Sequence, residues 1–253
     1  MRLAKPLAAI LVLSLAACGE PKADEAFGKK VRAYLLENPE VLQEAYERLQ
    51  VKQQQQAMVQ ASKAIVDNRK ALENDPRDFV ANPNGKITVV EFFDYNCGYC
   101  KLIAPEVLAL VKAHPDVRFV FKDMTIFGEA SEYAAAGAEL TKPTGKYLAV
   151  YREFMSEKPL EDDDVARILT LNGVSPAAAR ERQQSAEQRR YLEDQHKLAA
   201  SLGIQGTPAF VVGDLMIPGA DPLALKQAIA AAKEGKSVHV EVQGGASRPA
   251  GAT

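Results

Sequence analysis

Cys97 and Cys100 enclose Gly98 and Tyr99, and this Cys-x-x-Cys directly follows the apolar, β-branched run 87–93 (Ile-Thr-Val-Val-Glu-Phe-Phe). A strand leading into two cysteines on the first turn of a helix brings the sulfurs close enough to bridge after small adjustment. The first sulfur then sits where unpaired backbone N–H groups and the positive end of the helix dipole favour a thiolate. A depressed pKa makes such a sulfur reactive near neutral pH. The spacing therefore suits reversible disulfide chemistry better than a static staple. Cys97 is expected to be the partly exposed attacking thiolate. Cys100, one turn in, is expected to be more buried and to resolve the mixed disulfide.

Two further features belong to this chemistry. Glu91 stands six residues before Cys97 inside the strand, where a buried carboxylate is costly unless protonated or used; alternatively it points to a sheet edge and is merely ion-paired. Thr207-Pro208 closes the segment Gly203-Ile204-Gln205-Gly206-Thr207-Pro208 just before another apolar run. An X-Pro bond has only a small trans preference, and the alternative is a trans turn proline ahead of a strand. Tyr95 and Tyr99 are either contact area for substrates or ordinary core and surface residues. A zinc site needs four ligands. The chain has no second cysteine pair, and His114, His196 and His239 are scattered and read as surface residues. No metal site and no cofactor are expected.

The elements that must hold these residues follow from the pattern. A polar tether is read over 18–26, then a short amphipathic helix over 27–36. Asn38-Pro39 suits an N-cap and first helical position. From there to about residue 73 runs a stretch without Gly or further Pro, a helix of about 35 residues and ~50 Å. Its apolar positions (Leu42, Ala45, Leu49; Met58, Ala61, Ile65, Leu72) follow the 3-4 spacing of a coiled-coil or bundle seam, interrupted by Lys52 and the glutamines 53–56. Residues 27–75 are read as a stalk that self-associates through 27–73; packing along the rest of the chain is the alternative. A short strand is expected near 78–80 and a central one at 87–93. A helix kinked at Pro105 follows, then a strand at 117–122 in parallel pairing. Helices fill 129–202, a hairpin spans 209–217 around Gly213-Asp214, and a last helix spans 222–233. The main domain is placed at 76–236 and a disordered tail at 237–253.

The 253 residues are 47% hydrophobic and 25% charged, with a net charge of −2, which is ordinary globular composition with too little positive charge for nucleic acid as main partner. The third cysteine lies at the end of a secretory signal over 1–17: Arg2 and Lys5, a short apolar stretch, then Ala16-Ala17 before Cys18. Leu15-Ala16-Ala17-Cys18 resembles a bacterial lipobox, in which Cys18 is lipidated and becomes the mature N-terminus; the alternative is an ordinary cleavage site with an incidental cysteine. Gly19 after it implies, by resemblance to Gram-negative sorting, the outer membrane facing the periplasm. The Cys97–Cys100 pair is then left as the only thiols, in a compartment where disulfides persist.

The order strand, Cys-x-x-Cys helix, strand, helical insert, Thr-Pro, hairpin, helix resembles an α/β thioredoxin fold with an inserted helical subdomain, of the DsbA-like family. Glu-Phe-Phe-Asp-Tyr-Asn-Cys-Gly-Tyr-Cys-Lys, with Leu-Leu-Glu-Asn-Pro-Glu-Val-Leu upstream, resembles the suppressor of copper sensitivity protein C (ScsC) group. Several members are thiol–disulfide isomerases that trimerise through an N-terminal helical oligomerisation stalk. The tetrapeptide Cys-Gly-Tyr-Cys is also that of the isomerase DsbC. The resemblance implies a periplasmic enzyme for misoxidised or unfolded protein substrates, a membrane thiol reductase as partner and a homo-oligomer with the trimer favoured. It further implies Glu91 as proton acceptor from Cys100. Thr207-Pro208, with Gly98 and Tyr99, becomes the substrate-binding surface, a cis-proline loop whose backbone pairs with an extended client. Tyr99 stands where DsbA carries His, which implies weaker oxidising power. A DsbA-like dithiol oxidase is the same-fold alternative. A Cu(I)-binding copper-tolerance protein is the alternative of another class, since paired thiolates suit Cu(I).

Overall fold

A computed structural model of the chain describes residues 25–236. These divide between Gln55 and Gln56 into two units, with the boundary inside the glutamine run.

The first unit holds α1 (Glu25–Glu37) and the beginning of α2 (Glu40–Asp67). No residue of α1 is buried, and Val31, Tyr34, Leu42, Tyr46 and Leu49 are exposed. Asn38 does not cap the second helix as its type suggests. Its side-chain and backbone amides both donate to the Tyr34 carbonyl, at 2.9 and 2.8 Å. It thus satisfies an orphan carbonyl at the end of α1.

In the second unit the single helix expected up to residue 73 is cut at Asn68. Its backbone and side-chain N–H groups both bond the Ala64 carbonyl (3.0 and 2.9 Å), and with φ −104° and ψ 9° it leaves the helical path. The short α3 (Arg69–Glu73) follows. Ile65 and Leu72, read from the sequence as stalk positions, are buried against Val90, Phe92, Val120, Leu202 and Val211. From about Ile65 the chain therefore belongs to the core of the second unit, rather than to a separate segment over 27–75. Two cations of the sheet hold α3. Arg118 Nη2 donates to the Glu73 carbonyl (2.6 Å), and Lys122 Nζ to the Ala71 carbonyl (2.8 Å). Both sit where helix C-terminal carbonyls attract positive charge. Lys122 also forms a fully buried ion pair with Asp78.

Among the described residues the sheet has the order β1-β3-β2-β4-β5. The central β2 (Ile87–Phe93) runs parallel to β3 (Val117–Asp123) and antiparallel to β4 (Ala209–Val212). The edges are β1 (Phe79–Ala81), antiparallel to β3, and β5 (Leu215–Pro218), antiparallel to β4. The β4–β5 turn has φ +60° at Gly213, the positive φ that a primed hairpin turn requires. Alternation along β2 sorts its side chains between two cores. Val90 and Phe92 face α3 and the end of α9 (Ala186–Ser201). Val89 and Phe93 face α4 (Gly98–Ala113), α10 (Pro222–Lys233) and the insert helices α5 (Glu129–Glu139), α6 (Tyr147–Ser156), α7 (Asp162–Leu171) and α8 (Pro176–Gln184). Glu91 shares the parity of Val89 and Phe93, and so lies under α4 rather than at a sheet edge.

Candidate functional site

The site grows from the loop that joins β2 to α4. Asp94 is fully buried, and its carboxylate accepts four hydrogen bonds. Oδ1 takes the Asn96 N–H and the Ser131 hydroxyl (2.6 Å each); Oδ2 takes the N–H groups of Ile126 (2.6 Å) and Phe127 (2.9 Å). Its backbone carbonyl accepts the Cys97 N–H at 3.1 Å. Two residues on, Asn96 bonds Leu160 in both directions at 2.9 Å. This three-residue loop is therefore clamped to the β3–α5 connection on one side and to the insert on the other. Between them Tyr95 is buried against Phe93, Tyr151 and Phe154, so it offers no contact area to a substrate. Tyr99 is 68% exposed.

Cys97 is the N-cap of α4, and its carbonyl accepts the Lys101 N–H at 3.0 Å. Its thiol donates to the Thr207 carbonyl at 3.1 Å. That loop covers the sulfur, so Cys97 is only 3% exposed rather than partly open as its position at a helix end implies. Its pKa is lowered from 9.0 to about 5. The Cys100 side chain, as hydrogen-bond donor, is the main favourable cause; burial opposes it, and the Thr207 side chain and the amides of Cys100 and Tyr99 add to it. The Thr207 hydroxyl is buried with no hydrogen-bond partner among the described residues. The Thr207-Pro208 peptide is cis.

Cys100, fully buried, is pushed strongly upward by burial, by its hydrogen bond to Cys97 and, more weakly, by the charges of Cys97 and Glu91. Two sulfurs of one turn thus have opposite proton affinities, the arrangement needed for an attacking thiolate beside a resolving thiol. Glu91 is buried, and burial raises its pKa from 4.5 to about 8. The Tyr151 hydroxyl of α6 opposes this by donating to Oε1 and Oε2 at 3.1 and 3.3 Å.

Glu91 of β2, Cys97 at the N-cap of α4, Gly98, Tyr99 and Cys100 in its first turn, and Thr207 and Pro208 of the loop before β4 therefore all meet at the start of α4. Cys18 lies outside the described residues, as does His239. Among the described residues no group of three or more His, Cys, Asp or Glu side chains could hold a metal ion, and no helix is long and apolar enough to cross a membrane. Sequence reasoning missed Asp94, Asn96 and Tyr151. The first two carry a signal, since Asp and Asn in a loop commonly bond nearby backbone. Tyr151 carries none beyond helical spacing.

Residues 88–230, more than half of the chain, match the family model of the DSBA-like thioredoxin domain. Residues 25–56 match that of the copper resistance protein ScsC N-terminal domain. The chain is similar to the crystal structure of Salmonella enterica Typhimurium BcfH, with 32% identity, a TM-score of 0.72, and coverage of 82% of this chain and 95% of that one. It is similar to Proteus mirabilis ScsC in a transitional conformation, with 30% identity, a TM-score of 0.62, and coverage of 81% and 96%. Disulfide bond formation protein D of Bacillus subtilis is 25% identical over 187 residues, which is 68% of this chain and 82% of that protein. A shorter stretch of 105 residues is 30% identical to the Na(+)/H(+) antiporter NhaA 3 of Salinispora tropica, and spans 16% of its length. The corresponding stretch of Salinispora arenicola NhaA 1 spans 15% of that protein.

Proposed function

We propose, given that this chain belongs to the DSBA-like thioredoxin domain family of thiol–disulfide oxidoreductases, that it is an exported disulfide isomerase for misoxidised proteins. The observation that carries the chemistry is the split between a low-pKa Cys97 at the start of α4 and a high-pKa Cys100 behind it. Cys97 attacks one sulfur of a client disulfide; a Cys97–client bond forms and the other client sulfur leaves as a thiolate. In isomerisation that thiolate, or another client thiol, forms the correct disulfide and Cys97 departs as a thiolate, with no net oxidation. In the escape route Cys100 gives its proton to Glu91 and attacks Cys97. The client leaves reduced, and a membrane thiol reductase must then restore the Cys97–Cys100 pair. Thr207-Pro208, Gly98 and Tyr99 form the surface along which the client segment lies.

Exposed apolar side chains on α1 and the start of α2, together with the match of 25–56 to the ScsC N-terminal domain, support self-association. The expected segment 27–73 is narrowed here to residues before 56. A trimer is the proposed state by likeness to ScsC. Several sites on one assembly raise the effective concentration of thiolates around one client. The proposed location is the periplasm, with Cys18 as the lipid anchor to the outer membrane. A dithiol oxidase is the second reading. The low Cys97 pKa favours it, because a stabilised reduced form makes the disulfide a stronger oxidant. The test is to trap the adduct: with Cys100→Ala, a disulfide-bearing client accumulates as a mixed disulfide on Cys97. An adduct that survives Cys97→Ala, or none at all, overturns the assignment.

A further inference from the structure

Tyr151 lies on α6, in the insert, far from the Cys-x-x-Cys in sequence, yet its hydroxyl is the hydrogen-bond donor to the Glu91 carboxylate. Among the described residues no other group bonds that carboxylate. The ring is fixed edge-to-face by Phe93 and Phe121, each at 5.2 Å between centroids, and by Tyr95 at 6.1 Å. These contacts leave the hydroxyl one direction to point. The charges of Glu91 and Cys100 both act on Tyr151, so the phenol stands beside the acid and the resolving thiol at once.

We propose that Tyr151 is a positioning residue: its hydroxyl holds Glu91 in place and stabilises the carboxylate form that receives the Cys100 proton. The inference rests on the reading of Glu91 as proton acceptor. In the step concerned, the Cys100 S–H proton passes to Glu91, the freed electron pair forms the Cys97–Cys100 bond, the Cys97–client bond breaks, and the client sulfur leaves as a thiolate. Tyr151 neither gains nor loses a proton. Burial, with the charges of Glu91 and Cys100, pushes it well above the ordinary 10.0, so it stays a donor through the working pH range. The titratable groups that face Glu91 are Tyr151 from α6, Cys100 from α4 and Tyr95 from the intervening loop. Its register neighbours on β3 and β4, Phe121 and Phe210, are apolar. Nothing on the sheet can replace the lost donor.

The experiment compares the full chain with Tyr151→Phe, Tyr147→Phe and Glu91→Gln. The first readout is the infrared carbonyl band of protonated Glu91 against pH, assigned by its loss in Glu91→Gln. The second is client-thiol release from a preformed Cys97 mixed disulfide with a small peptide. Tyr147 bonds Tyr95 and not Glu91, so its Phe variant controls for loss of a buried phenol hydroxyl. Tyr151→Phe is expected to raise the Glu91 midpoint by about one pH unit and to slow release below pH 8 by up to about tenfold. It should leave the Cys97 alkylation midpoint unchanged, and Tyr147→Phe should do neither. An unmoved Glu91 band in Tyr151→Phe overturns the proposal, while slow release in Glu91→Gln still upholds the acceptor reading. Release that is unaffected at every pH by Glu91→Gln overturns the acceptor reading and the proposal with it.

Discussion

Replacing Cys100 by Ala removes the largest favourable cause of the Cys97 pKa shift while leaving α4 and its amides in place. The shift runs from 9.0 to about 5, and the Cys100 thiol leads the groups that lower it. A hydrogen bond to an ionised acceptor contributes about 1.5–3 kcal/mol, and one pKa unit corresponds to about 1.4 kcal/mol. The Cys97 midpoint in Cys100→Ala should therefore rise by about one to two units. Cys100→Ser keeps a donor at the same place and should recover most of the depression. The assay is the ultraviolet absorbance of the thiolate against pH on the full chain, with Cys97→Ala as the blank. The same shift has a sign in stability. The folded pKa lies below the unfolded one, so the thiolate's contribution is present above the unfolded value and is lost as the pH falls toward about 5. A parent midpoint near the ordinary thiol value refutes the helix-terminus argument. A low parent midpoint that Cys100→Ala does not move refutes the assignment to the neighbouring thiol and leaves the amides as its cause.

Glu91→Gln should raise Tm increasingly between pH 5 and pH 8. A carboxyl held protonated to about 8 in the folded chain and ionised from 4.5 in the unfolded one makes stability fall as pH rises; at pH 7 the relief is about 3 kcal/mol, and thermal melts across that range check it. Asp94→Asn places an NH2 group against two of the N–H or O–H donors that the carboxylate now accepts. The expected cost is about 2–4 kcal/mol in denaturant unfolding, with faster amide exchange at Ile126 and Phe127. Deleting residues 25–55 should convert an oligomer to a monomer in light scattering while leaving Cys97 alkylation unchanged, because Ile65 and Leu72 remain in the core.

Short-range patterns were legible in the sequence because their causes are local. The β-branched run at 87–93, the Cys-x-x-Cys at a helix start and the Gly213-Asp214 hairpin each depend on neighbours within a few residues. So does the placement of Thr207-Pro208 ahead of a strand. What escaped depends on partners distant in sequence. Ile65 and Leu72 have the 3-4 spacing of a seam, but spacing names a face without naming what covers it; here it is the underside of the sheet. The break at Asn68 lacks Gly or Pro, and shows only as an asparagine whose side-chain and backbone amides share the Ala64 carbonyl. Cys97 is closed over by a loop more than a hundred residues away. Asp94 and Asn96 read as ordinary turn residues until their partners, Ile126, Phe127, Ser131 and Leu160, are brought alongside. Tyr151 at helical spacing is indistinguishable from core, and it is core, apart from one hydroxyl that meets the only carboxylate on its face of β2.

The isomerase assignment itself is tested most directly by refolding a substrate with scrambled disulfides, started from the reduced full chain under low oxidant. Catalysed recovery of native disulfides is expected, abolished by Cys97→Ala and reduced by deletion of 25–55. Failure to unscramble, together with rapid oxidation of a reduced substrate by the Cys97–Cys100 disulfide, would contradict it and identify an oxidase instead.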